Sequence, residues 1–250
     1  MMNRSALLII CFSLCLAILT SCSPKSSDVL KIGMNVEFPP FGYKADSTYV
    51  GVDVDLAGKI AEKMDMPYEI IDMEFDTLIH ALLSEQVDIV ISAMSITAQR
   101  SRQVEFSRPY YLAHQVLIYS DKSPKMPDTE RDLGKYRLGV LHGSTAHNYI
   151  MQILVDRDLM SMDDLMVYAS NTEAIEDLVA GKLDFIVNDN SAAYGFSRLY
   201  PVKIGMKLNT VEEYAIAMPR DGKNNERVNK ALQDIIDSGE MASIIANHIE

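Results

Sequence analysis

The chain has 250 residues, 48% of them hydrophobic and 23% charged, with a formal net charge of −12. That length admits one large domain or two small ones, and the composition is that of an ordinary globular protein. The acidic balance argues against nucleic acid or an anionic membrane surface as a partner.

Residues 1–21 read as a processing segment. Arg4 gives a positive start, and residues 6–19 form an almost wholly apolar run, too short to span a membrane. Leu19-Thr20-Ser21-Cys22 then has the pattern of a bacterial lipobox. It predicts cleavage before Cys22 and lipidation of that thiol, leaving residues 22–28 as a polar tether. The mature protein would be held on a membrane of the cell envelope, facing the periplasm or the cell exterior. Cys11 and Cys15 lie inside the signal, so the chain after Cys22 has no disulfide, thiol nucleophile or cysteine metal site. Loss of Arg4 takes the mature charge to −13.

A short strand over residues 30–34 opens the fold. Asn35-Val-Glu-Phe-Pro-Pro-Phe-Gly-Tyr43 follows as a stiff loop, because paired prolines neither continue a central strand nor enter a helix. Val52, Leu56, Ile60 and Met64 recur every fourth residue and predict a helix over 52–64, with Asp53 or Asp55 placed to cap it. A strand over 68–73 and a helix capped by Asp76 lead to a second strand at 89–91. Strands alternating with helices predict a parallel sheet covered by helices.

The stretch Ile89-Val-Ile-Ser-Ala-Met-Ser-Ile-Thr-Ala-Gln-Arg100 organises the rest. An apolar strand breaks into hydroxyls at Ser92, Ser95 and Thr97 and ends on an arginine. Hydroxyls and freed N–H groups are neutral donors, and a guanidinium is a planar fork that matches a carboxylate. A short helix from Thr97, a turn at Phe106-Ser-Arg-Pro-Tyr-Tyr111 and a strand over 113–119 come next.

A second unit starts with a strand over 137–141. His142-Gly-Ser-Thr145 turns into a helix that Ser144 or Thr145 can cap, and its N-terminal N–H groups form an anion site or an ordinary cap. A strand at 165–168, a helix capped by Asn171 or Thr172 and ended by Gly181, and a strand over 183–187 follow. Leu82-Leu-Ser-Glu-Gln-Val-Asp-Ile-Val-Ile-Ser92 parallels Leu178-Val-Ala-Gly-Lys-Leu-Asp-Phe-Ile-Val-Asn188, 96 positions later. Two α/β lobes of like construction are the natural reading. Their polar strand ends, at Ser92 and at Asn188-Asp189, face a common cleft. A strand over 214–218 and two helical stretches return the chain to the first lobe, with crossings near 114–120 and 210–215. The expected division is 29–114 plus 216–250 for the first lobe and 115–215 for the second.

Gly51-Val-Asp-Val-Asp-Leu-Ala-Gly-Lys-Ile-Ala-Glu-Lys-Met64 resembles the signature of the family 3 bacterial extracellular solute-binding proteins, with Val52 where an aromatic or longer aliphatic residue is usual. The proline loop, Ser95-Ile-Thr with Arg100, the Phe106–Tyr111 turn, the Gly-Ser-Thr turn and Asp189 extend the resemblance over roughly 28–248. It implies the two-lobe periplasmic-binding-protein fold of type II, with two hinge strands, a monomer, and service to the permease and ATPase of an ABC importer of amino acids. Residue by residue, it implies that Arg100 clamps the ligand α-carboxylate, assisted by Ser95 and Thr145. Asp189 and the Ala93 carbonyl take the α-ammonium, and Phe38 and Phe75 sandwich the side chain. Asn35, Ser92, Leu141 and Ser144 complete the implied binding residues, and His142 and Ala146 are further expected contacts.

Asn35 stands where relatives selective for cationic amino acids carry aspartate, which counts against lysine or arginine. Glu37 could supply that charge, and two phenylalanines could stack on a guanidinium. The preference therefore leans to arginine or another basic amino acid over glutamine-like ones. The competing readings are a dehydratase-like periplasmic enzyme and a sensory binding protein. No cofactor is implied, and the five histidines lack metal-ligand spacing.

Overall fold

The computed structural model describes residues 29–249; the expected signal, lipobox and tether, with Cys22, lie outside the described residues. The chain runs through β1 (Leu30–Met34), a ribbon of β2 (Glu37–Phe38), β3 (Gly42–Ala45) and β4 (Thr48–Val50), and helix α1 (Val52–Lys63). Then come β5 (Tyr68–Asp72), α2 (Leu78–Leu83), β6 (Ile89–Val90), the single turn α3 (Ala98–Ser101) and β7 (Glu105–Phe106). β8 (Tyr111–Ala113) leads into β9 (Gln115–Ser120), β10 (Leu138–Leu141), α4 (Thr145–Ile153), β11 (Leu165–Tyr168) and α5 (Asn171–Ala180). β12 (Phe185–Asp189), α6 (Asn190–Leu199), β13 (Val202–Lys207), β14 (Glu212–Tyr214), β15 (Ala217–Met218), α7 (Asn225–Asp237) and α8 (Glu240–Ile249) complete it.

These strands build two five-stranded sheets, ordered β5-β1-β6-β15-β7 and β11-β10-β12-β9-β13. In each, the opening strand lies between two parallel partners, β1 between β5 and β6, and β10 between β11 and β12. The internal repeat is the helix-strand unit α2-β6 in one sheet and α5-β12 in the other. The sheets are mixed, where the alternation of elements predicts parallel ones. β9 and β15, the strands that arrive directly from the other sheet, pair antiparallel. Between the sheets β8 and β14 pair with each other, Ala113 opposite Glu212 and Tyr111 opposite Tyr214. The first crossing therefore lies at 111–113, and residues 115–120 already belong to the second sheet.

Local chemistry explains where the elements start. Helix α1 buries Val52, Leu56, Ala57, Ile60 and Ala61 along the expected stripe. Full burial of Leu56 or Ile60 contributes about 1.5–3 kcal/mol each. Its N-cap is Gly51, not Asp53 or Asp55, at φ 127°. A Cβ there would stand 2.2 Å from the Phe41 carbonyl oxygen, so only glycine fits. Asp53 instead turns inward, 1% exposed, and accepts the Ala93 N–H at 2.6 Å and the Tyr110 hydroxyl at 2.7 Å. Asp76 does not cap α2, which starts after a 3-10 turn over Phe75–Thr77. Ser170, one residue before Asn171, caps α5 by accepting the Glu173 N–H, and Gly181 ends that helix at φ 81°.

The expected strand over 214–218 is interrupted. Ala215 donates its N–H to the Met94 carbonyl, where the backbone leaves the β8–β14 ribbon for the first sheet. Helix α6 and strand β13 have no counterpart in the sequence reading. The buried side of α6 is Ser191, Ala192, Ala193, Gly195 and Phe196, mostly small residues.

Candidate functional site

Four strand ends meet at one cavity. Asn35 follows β1, Ser92 and Ala93 follow β6, Leu141 ends β10 and Asp189 ends β12. Phe38, Phe75, Ser95, Arg100, Ser144 and Thr145 close its walls. All eleven residues nominated from the sequence thus stand on one cavity, with Ala146, Val187 and Asn188 beside them. Among the described residues, no three His, Asp or Glu side chains gather where they could hold a metal ion.

Arg100 lies on α3, whose N-cap Thr97 accepts the Arg100 N–H. The guanidinium is buried and donates to the Ser95 carbonyl at 2.7 Å, and it stacks over the Phe75 ring at 5.3 Å. Burial lowers it to about 10, opposed by the negative charges of Glu212 and Asp189, so it stays a cation at neutral pH. Ala93 sits at φ 44°, a left-handed conformation that costs a non-glycine residue energy. The Asp53 carboxylate bonded to its N–H holds it there. Burial pushes Asp53 up to about 7, against the pull of its two hydrogen bonds.

Asn35 donates its N–H to Ser92 Oγ and its Nδ2 to the Met73 carbonyl. Ser144 caps α4 through the His147 N–H, and Thr145 opens that helix at the positive end of its dipole. Asp189 is buried and accepts the Tyr214 hydroxyl. Burial, and then the neighbouring Glu212, push its carboxyl up to about 7. Tyr214 and Arg100 act the other way.

The two sheets are closed on each other across this cavity. Arg100 Nη2 donates to the Gly143 carbonyl at 3.0 Å. His142 Nδ1 meets Asp76 Oδ2 at 2.7 Å, and the Ser170 hydroxyl donates to Glu37 at 2.6 Å. His142 and Glu37 are therefore spent on contacts between the sheets and do not line the cavity. Helix α6 presses on the proline loop so closely that a Cβ on Gly195 would stand 2.4 Å from the Pro39 carbonyl oxygen. Phe38 packs against the cores of both sheets.

The arrangement offers a permanent cation and two hydroxyls on one part of the cavity wall and a buried acid on another. Sequence reasoning missed Gln115, Glu212 and Tyr214, which support Asp189 and Thr145 from the crossing strands. Their only signal was polarity inside a strand pattern.

A model of the bacterial extracellular solute-binding proteins, family 3, matches residues 30–250. The L-arginine-binding protein of Pseudomonas aeruginosa is 33% identical over 179 residues, covering 71% of this chain and 67% of that protein. The solved structure of an ancestral arginine-binding protein bound to arginine superposes with a TM-score of 0.81 at 32% identity, covering 89% of this chain and 98% of that one. The solved structure of an ancestral arginine-binding protein bound to glutamine superposes with a TM-score of 0.80 at 32% identity, covering 88% of this chain and 97% of that one.

Proposed function

This chain belongs to the bacterial extracellular solute-binding proteins, family 3, and on that premise we propose that it captures an L-amino acid between its two lobes for an ABC importer. The observation that carries the reading is the pairing of Arg100 and Asp189. They come from opposite sheets, one a permanent cation and the other a buried acid, and line one cavity. A zwitterion needs a cation and an anion at fixed separation, each hydrogen-bonded and out of water. A ligand held by both stabilises the closed arrangement over an open one, since only the closed one offers both partners.

In this reading Arg100, Ser95 and Thr145 take the α-carboxylate, and Asp189 with the Ala93 carbonyl takes the α-ammonium. Phe38 and Phe75 flank the side chain, with Asn35, Ser92, Leu141 and Ser144 around it. The moving units are residues 29–114 plus 216–250 and residues 115–215, with the paired β8 and β14 between them. The substrate is L-arginine or another basic amino acid. The similarity to arginine-binding relatives supports this. The protein acts as a monomeric binding protein with a permease and ATPase as partners, and catalyses no reaction. It is held at the membrane through a lipidated Cys22; metabolic labelling with a palmitate analogue, lost in Cys22→Ala, tests the anchor.

Isothermal titration of the ligand-free protein tests the ligand. Tight one-to-one binding of L-arginine, weaker binding of L-glutamine and none of the decarboxylated amine agmatine is the expected pattern. Agmatine bound as well as arginine would remove Arg100 from its role.

A further inference from the structure

We propose that Gln115 is a positioning residue for the ligand carboxylate: its amide fixes the Thr145 hydroxyl as a donor into the cavity and ties that donor to both crossing segments. The proposal rests on the amino acid reading above.

Gln115 opens β9 directly after the first crossing, is wholly buried, and stands opposite Asp189 in the sheet. The second crossing grips its backbone. Its N–H donates to Thr210 Oγ1 at 2.8 Å, and its carbonyl accepts the Leu208 N–H at 2.8 Å. Its side chain reaches out in two directions, Nε2 donating to Thr145 Oγ1 at 3.1 Å and to Glu212 Oε1 at 3.3 Å. One amide thus links the first crossing, the second crossing and the N-terminus of α4.

The acceptors dictate which way the amide faces. Turned over, it would set its own oxygen against the Glu212 oxygen; as it stands, both Nε2 hydrogens are used. Thr145 Oγ1 then already accepts, and among the described residues its own hydrogen has no protein acceptor. The Gln115 bond fixes where the Thr145 oxygen sits and takes one of its two lone pairs, which leaves its hydrogen to donate, and Thr145 lines the cavity. Gln115 Oε1, by contrast, is buried without a partner among the described residues. Orphaned buried acceptors are rare and destabilising. Methionine, of similar length, would carry no orphan. The amide is accounted for by what Nε2 does, not by what Oε1 lacks.

The test is a double-mutant cycle on the wild type, Gln115→Met, Thr145→Val and the double variant, read by isothermal titration with L-arginine and with L-glutamine. Each single substitution is expected to weaken binding about tenfold, and the double no further than either, because both remove one donor. Gln115→Asn, which withdraws the same amide by one methylene, runs the cycle if the methionine variant does not fold. Losses that multiply in the double variant, or a Gln115→Met protein that binds like the wild type, overturn the proposal. A wild-type protein that binds neither amino acid overturns the reading beneath it. Tight wild-type binding with multiplying losses overturns this inference alone.

Discussion

Arg100 and Gly143 stand on opposite sheets, and the guanidinium of one donates to the carbonyl of the other at 3.0 Å across the cavity. The same guanidinium holds the Ser95 carbonyl and stacks on Phe75, so three separate walls converge on one side chain. Arg100→Ala is expected to weaken amino acid binding by at least about 100-fold, the scale of losing a desolvated charge partner. Arg100→Lys should fail almost as badly, because an ammonium cannot reproduce the fork. The ligand-free melting temperature should not fall with Arg100→Ala, which relieves a buried charge. Titration calorimetry and thermal unfolding of the same samples check the two halves.

Gly195 gives a test of closure that leaves the binding residues untouched. Its missing Cβ lets α6 approach the Pro39 carbonyl, where a methyl group would stand at 2.4 Å. Gly195→Ala improves the helix by about 0.5–1 kcal/mol yet obstructs the closed arrangement. The expected result is a ligand-free melting temperature equal to or above wild type, with ligand affinity lowered about tenfold or more. Small-angle scattering with saturating ligand should show a larger radius of gyration than the wild-type complex.

Asp189 makes binding depend on pH. Its carboxyl is pushed up to about 7, so below that pH the empty site holds it largely neutral. An α-ammonium needs the anion. Affinity should therefore rise as pH rises through about 7 and level off above it, with proton release on binding near neutrality. The effect on stability has the opposite sign. An acid whose folded value lies above its unfolded value of 3.8 stabilises the fold fully below that value, and the contribution is lost as pH rises through about 7. Asp53, raised likewise to about 7, adds to the same trend. Titrations in buffers of different ionisation heat, on wild type and Asp189→Asn, check it; the substitution should flatten the affinity profile.

The half-exposed pair Asp76–His142 is a latch on the closed state. Its side chains are 30% and 54% exposed, so its contribution is small, about 0–1 kcal/mol. His142→Ala should raise the ligand dissociation rate by up to about fivefold in stopped-flow measurements and leave the association rate nearly unchanged.

The legible parts of this fold were those whose pattern is local. The α1 stripe at every fourth residue, the apolar runs of β6 and β12, and the 96-position repeat all follow from side-chain period alone. The polar strand ends then marked the cavity, because strand ends of two like units must face one cleft. What stayed hidden was set by long-range partners. Asp53 looked like a helix cap and is a buried acceptor for Ala93, 40 positions away. Asp76 looked like another cap and reaches His142 on the other sheet. His142 and Glu37 looked available to a ligand and hold the sheets together instead. Helix α6 escaped the sequence reading because its buried side is mostly small residues, Ser191, Ala192, Ala193 and Gly195, where α1 carries Val52, Leu56 and Ile60. Gln115 and Glu212 lie where the chain changes sheets, and their partners are 30 and 97 residues away from Gln115.

The most direct measurement is a thermal-shift screen of the twenty amino acids, ornithine and agmatine on the chain after Cys22, unfolded and refolded to strip bound ligand. The chain has no tryptophan, so the readout is an added dye. At about 100 times its dissociation constant a ligand adds roughly 2.7 kcal/mol, a shift of about 5 °C or more at this size. The expected result is a shift with L-arginine or another basic L-amino acid that disappears in Arg100→Ala. A flat response to every L-amino acid would contradict amino acid capture.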